Sequence, residues 1–159
     1  MCDQLKRVPD YVALYSGDAT VDGNKYKWNL NPSYFSNQRS TVCFVSLADT
    51  LIDDQNANTE LIVKYHGGVQ NMFSSNNDAG FYLGGLDVVV DSGGHNHHTY
   101  MKEHVRLLVP ARPQTIELSV TELDETAITP DNATFVLRFD YLDPEETTQE
   151  ITSTFYKGL

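Results

Sequence analysis

The sequence predicts an all-β protein, a single β-sandwich with Greek-key connections of the jelly-roll kind. Two observations carry the prediction. Apolar residues recur with strict period two in Thr115–Thr121 and again in Phe135–Tyr141, the mark of strands with one buried face. No stretch carries the apolar stripe of an amphipathic helix. Chain length sets the scale: 159 residues suit one domain, and a chain of that size buries roughly 70% of its unfolded surface without needing staples.

Taken in order, Tyr11–Ser16 is a short β-prone run, closed by turns at Gly17-Asp18 and Asp22-Gly23-Asn24. Lys25–Leu30 alternates: Tyr26, Trp28 and Leu30 share one face, and Lys25, Lys27 and Asn29 the other. The first face is expected to turn inward. Trp28 is the one tryptophan, and truncating a buried aromatic of that size costs about 3 to 5 kcal/mol. Asn31-Pro32-Ser33 breaks the strand. Thr41–Leu47 is apolar on both faces, as suits a central strand covered on two sides. A polar loop follows around 53–58, then a strand at Leu61–Tyr65 stopped by Gly67-Gly68.

Residues 71–80 read as a long loop. Phe81–Leu83 and Leu86–Val90 read as two short strands around Gly84-Gly85, and Gly93-Gly94 opens a loop bearing histidines. Tyr100–Val109 is a longer strand candidate. The acidic segment 121–129, ended by Pro130, reads as a loop or a single turn. The domain organisation expected is an N-terminal arm at 1–9, a jelly-roll domain at 10–142 and a C-terminal strand or tail at 143–159. Two sheets about 10 Å apart would supply the core, and the long connections at 50–60 and 71–80 fit Greek-key crossovers better than hairpins.

Charge narrows the function. The chain carries 22 Asp plus Glu against 11 Lys plus Arg, a formal net charge of −11. Gripping a phosphate backbone by counterion release needs a basic surface, so direct nucleic-acid binding is not expected; nor is docking on anionic lipid. No segment approaches the length of a membrane span, and no secretory signal is visible. With two cysteines, Cys2 near the N-terminus and Cys43 inside an apolar strand, the expectation is free thiols in a reducing compartment. The sequon Asn132-Ala133-Thr134 then has no route to glycosylation.

Gly93-Gly94-His95-Asn96-His97-His98, with Glu103 and His104 beyond, is the strongest candidate for chemistry. Histidines two apart on a strand project to one side, and imidazole suits zinc, iron, nickel or copper. The metal-ligand candidates are His95, His97 and Glu103, a pattern that resembles the first half of the cupin motif. Five residues separate His97 from Glu103, one more than that motif usually has, and no histidine follows His104 to supply its late ligand. Solvated loop histidines that titrate near neutral pH are the plainer reading. No cofactor is expected.

Nucleophilic catalysis finds no support. There is no Gly-x-Ser-x-Gly elbow, and Cys43 between apolar neighbours reads as a small core residue. Asp53-Asp54 and Glu145-Glu146 are acids in polar stretches. An enzyme is therefore not expected, and a binding or structural module is favoured.

Val12–Asp18, then a polar stretch, then Tyr26–Leu30 resembles the opening of small capsid proteins of virophages, Polinton-like viruses and related large DNA viruses. So does the later run Leu107–Pro110, Thr115–Asp124 and Asn132–Tyr141, in which an acidic turn and a loop lead into an alternating final strand. The similarity spans roughly residues 10 to 142. It implies a single jelly-roll penton, five copies of which ring each vertex of an icosahedral shell between trimers of a double jelly-roll major capsid protein. The implied location is the virion, after synthesis in the host cytoplasm or nucleus. The alternatives are a trimeric minor capsid or fibre-head protein, and a cupin-like metal-binding or sugar-binding sandwich. Isolated apolar residues in the terminal segments (Leu5, Val8, Ile151, Phe155) fit tails that order on a neighbouring subunit as well as they fit frayed ends.

Overall fold

The computed structural model describes residues 8–53, 60–67, 72–73, 79–90, 96–101, 105–124, 126–129 and 132–142, with 72–73, 79–80, 88–90 and 96–101 described by backbone alone. The chain is nearly all β. Its strands are β1 (Asp10–Tyr15), β2 (Thr20–Asp22), β3 (Lys25–Asn29), β4 (Val42–Asp53), β5 (Leu61–His66), β6 (Met72–Phe73), β7 (Ala79–Val90), β8 (Asn96–Met101), β9 (Arg106–Pro110), β10 (Thr115–Glu122), β11 (Ala127–Ile128) and β12 (Asn132–Tyr141). The helical content of the described residues is two 3-10 turns, Ser16–Asp18 and Pro32–Tyr34.

All pairings are antiparallel and form two layers. One runs β1-β12-β4-β9. The other runs β2-β3-β10-β5-β7-β8, with β11 on β10 and β6 on β7. The layers are joined at one end, where Ile52 and Asp53 of β4 pair with His98 and His97 of β8. Elsewhere they face each other: the ring of Trp28 on β3 meets that of Phe135 on β12 edge-on, with centroids 5.9 Å apart, and Tyr26 stacks on Trp28.

The alternating strands form as their sequences require. On β12, Ala133, Phe135, Leu137, Phe139 and Tyr141 are buried while the residues between them are not; on β10, Ile116, Leu118 and Val120 are buried. Tyr26 and Trp28 point inward as expected, and Leu30 packs against the same core. The β2–β3 hairpin closes through Gly23-Asn24, and Gly23 has φ of 62°; a two-residue hairpin with a positive φ at its first position favours glycine.

Several elements differ from the expectation, among them β2 and β6, which form where only turns or loop were expected. β4 runs on to Asp53 instead of ending at Leu47. It holds a bulge: Leu137 pairs with Leu47 and Val136 with Asp49, leaving Ala48 without a partner residue on β12. Cys43, Val45 and Leu47 are buried before the bulge, and Thr50 and Ile52 after it, so the extra residue shifts the inward phase by one. Gly84-Gly85 does not split two strands. β7 is continuous from Ala79 to Val90, because Gly84 and Gly85 pair with Val63 and Ile62 of β5. The Tyr100–Val109 candidate is two strands, since β8 ends at Met101 and β9 begins at Arg106. The expected turn at 121–129 also contributes β11, which pairs with Val120 and Thr121.

β5 is covered on both faces. Leu61, Val63 and Tyr65 belong to the core, while Ile62 and Lys64 on the opposite face are buried beside Ser119 and Thr121 of β10. Lys64 is 1% exposed. Residues 1–7 and 143–159, the bulk of the expected arm and tail, lie outside the described residues.

Candidate functional site

The histidine segment comes first. His97 lies on β8 and not in a loop, opposite Asp53 on one side and Val89 on the other; His98 lies opposite Ile52 and Val88. The backbone thus places a histidine and an aspartate at one ladder position on neighbouring strands. His95, Glu103 and His104 fall outside the described residues, so of the three metal-ligand candidates the structure locates the backbone of His97 alone. Among the described residues no group of three or more His, Cys, Asp or Glu side chains could hold a metal ion.

Cys43 is fully buried and forms no disulfide. Burial pushes its thiol up to about 12, with the charge of Asp140 adding to the effect. A thiol held protonated by an apolar strand is a packing residue, not a nucleophile. His66 Nε2 and Ser119 Oγ share a 2.7 Å hydrogen bond on the outer face of the β10–β5 pair.

A concave feature lies along β1, on the side that no described strand pairs with. A groove of about 260 Å³ is lined by residues 10–13 on one wall and by Leu30, Asn31, Tyr34 and Phe35 on the other. Local chemistry builds its second wall. Asn31 Oδ1 accepts from the backbone N–H of Ser33 at 3.0 Å and from its hydroxyl at 2.8 Å, which caps the Pro32–Tyr34 turn. Gln38 donates its side-chain N–H to the carbonyls of Phe35 and Pro32. Phe35 anchors the segment by meeting Phe139 edge-on at 5.4 Å.

Asp10 ties the two walls together. Its Oδ2 accepts from the backbone N–H of Ser36 at 2.8 Å and from the hydroxyl of Tyr141. Burial, and then this bond to a carboxylate, hold the Tyr141 phenol well above its ordinary range. The groove is therefore preorganised. Its rim is aromatic and exposed: Tyr34 is 86% exposed and Tyr11 57%. Arg138 of β12 lies over the Tyr11 ring, 5.9 Å from its centroid, and is held by Asp140.

The groove offers an apolar floor, tyrosine faces and the side of β1 that no described strand pairs with, which are the parts of a docking surface. The sequence reading passed over it, taking Asn31-Pro32-Ser33 only as a strand breaker. The available signal was the Asx-Pro-Ser pattern followed by Tyr34-Phe35, a capped turn carrying one outward and one inward aromatic.

Among the described residues no helix is long and apolar enough to cross a membrane. No protein-family model and no curated protein matches the sequence.

Proposed function

We propose that this chain is a structural capsid protein: a single jelly-roll penton that occupies the fivefold vertices of an icosahedral shell as a homopentamer, beside trimers of a double jelly-roll major capsid protein. The observation that carries the reading is strand order. β1-β12-β4-β9 faces β3-β10-β5-β7. Numbered in chain order, the strands of these two four-stranded stretches are 1, 3, 4, 5, 7, 9, 10 and 12. Each of the two layers thus pairs strands from the beginning and end of the chain, as a hairpin folded over on itself requires. The resemblance of residues 10–142 to vertex proteins supplies the biological role.

The chemistry of the described residues supports a contact role. Of the exposed large apolar and aromatic side chains among the described residues, Val8, Tyr11, Tyr15 and Val21 lie on or beside β1 and β2 and Tyr34 on the turn that faces β1, while Leu51 and Leu123 lie elsewhere. A vertex protein needs lateral surfaces that bind copies of itself head to tail round a closed ring.

Electron microscopy of the purified protein at high concentration tests the proposal. Fivefold particles, and incorporation at vertices when the protein is mixed with the major capsid protein, are the expected results. Threefold particles would instead favour a fibre-head or other minor capsid protein. Turnover of a small molecule by the isolated chain would sink the structural reading.

A further inference from the structure

We infer that the C-terminal segment of one copy, residues 149–156, adds as a strand to the open side of β1 in a second copy and fills the groove beside Tyr34. The inference rests on the self-association in the proposed function, but not on a shell or on the number five.

The fold builds the acceptor. β1 ends its layer: it pairs with β12, and no described strand pairs with its other side. In an antiparallel ladder alternate residues turn their N–H and C=O away from the partner, so half of the six residues of β1 present these groups to the open side. Such an edge is a template for another strand. Beside it runs the groove. Phe35 of its floor belongs to the core, and Val12 and Leu30 pack against that core. Its far wall is held by the Asn31 cap and the bonds of Gln38. An added strand therefore finds main-chain partners on one side and apolar side chains beneath.

The occupant is named by where the described chain stops. Leu142 donates its N–H to the carbonyl of Val42 at 3.3 Å, and the Tyr141 hydroxyl bonds Asp10. Residues 143–159 thus start beside the Asp10 end of a groove. Residues 143–148 have the composition of a link. Pro144 keeps Asp143 extended and brings no N–H to a ladder, and Asp143, Glu145 and Glu146 repel one another. Six extended residues span about 20 Å, enough to pass to a neighbouring molecule. Gln149–Tyr156 has the composition of a strand. Ile151, Ser153 and Phe155 fall on one face and Glu150, Thr152, Thr154 and Tyr156 on the other, and β-branched and aromatic residues dominate.

Direction selects the source. β12 runs antiparallel to β1, and Tyr141 lies past Phe139, the residue opposite Asp10. A segment folding back along β1 of its own chain would run parallel to it, after crossing the point where the chain enters β1. From a second copy the segment is free to meet β1 antiparallel. That is the more stable pairing per residue and the one that every described pair of strands uses.

Sedimentation velocity on the full chain tests this with a groove variant, Tyr34→Ala, and a tail variant, Ile151→Asp with Phe155→Asp. Thermal melts check that both fold. Each alone should weaken self-association at least tenfold, as the loss of an interface anchor does. Their equimolar mixture should give heterodimers and nothing larger, because the groove variant keeps a sound tail and the tail variant a sound groove. A synthetic peptide of residues 147–159 should dissociate assemblies of the parent, and a scrambled peptide should not. Leu123→Ala, changed at another exposed apolar position, should assemble as the parent does. Assembly unchanged in either variant, a parent that stays monomeric at high concentration, or a mixture without heterodimers would overturn the inference. A tail variant that melts lower yet assembles normally would place the segment on its own β1 and overturn it too. Fivefold particles formed by the tail variant would reject the inference and leave the penton standing. Rings of another number with the expected variant pattern would keep the inference and reject the pentamer.

Discussion

Trp28 donates its indole N–H to the carbonyl oxygen of Tyr15 at 2.8 Å. One bond thus ties the end of β1, in one layer, to the middle of β3 in the other. The indole fills the core against Tyr26 and Phe135 while its polar edge satisfies a carbonyl at the crossover between layers. Trp28→Phe should keep most of the packing and leave that carbonyl unmet, costing about 1 to 3 kcal/mol. Trp28→Ala should cost about 3 to 5 kcal/mol. Urea unfolding followed by far-UV circular dichroism separates the two.

Alkaline pH should loosen the fold. Burial pushes Cys43 from 9.0 to about 12, and burial followed by the charge of Cys43 pushes Tyr65 from 10.0 to about 12. Both groups are therefore protonated in the folded chain at pH values where the unfolded chain has lost those protons. The folded state binds more protons, so stability falls as pH rises. Their contribution is whole below about pH 9 and is lost between about 9 and 12, at up to about 1.4 kcal/mol per pH unit for each group. Urea midpoints measured from neutral to alkaline pH should drop over that window, and Cys43→Ala should flatten its lower part.

Two buried hydroxyls invite removal. Among the described residues, Thr50 Oγ1 and Thr121 Oγ1 are buried and find no hydrogen-bond partner, in residues 4% and 2% exposed. Valine has nearly the same shape and no polar atom to strand. Thr50→Val and Thr121→Val should each raise stability by about 1 kcal/mol, read as a higher urea midpoint at unchanged m-value.

These residues also show what a sequence can disclose. Phe135, Leu137 and Phe139 declare their strand because every second residue must enter the core. β4 hides its second half for a definite reason: the bulge at Ala48 resets the phase, so Ala48-Asp49-Thr50-Leu51-Ile52 fits neither one alternation nor a loop. β7 hides its continuity because two glycines normally weaken a strand, whereas here they lie in the ladder opposite β5. The groove hides most completely. Asp10, Phe35 and Tyr141 come from three parts of the chain and meet only once β1 is laid beside β12. The −11 charge spoke against a nucleic-acid surface.

The bulge makes the sharpest prediction about the fold. Deleting Ala48 would bring β4 into one unbroken register with β12. Cys43, Val45 and Leu47 would stay inward, and Thr50 and Ile52 would take the next inward places with Phe135 and Ala133 still opposite them. No face is exchanged, and what is lost is the local bend and twist that a bulge adds, so the variant should fold and stay soluble, with a cost of about 1 to 3 kcal/mol. Ala48 itself is exposed, so Ala48→Ser, which keeps the residue count, should shift the urea midpoint by less than about 0.5 kcal/mol equivalent. Soluble yield and urea unfolding of the deletion beside the substitution decide the matter. A deletion variant that fails to fold would mean that the bend at Ala48 is itself required to lay β4 against β12.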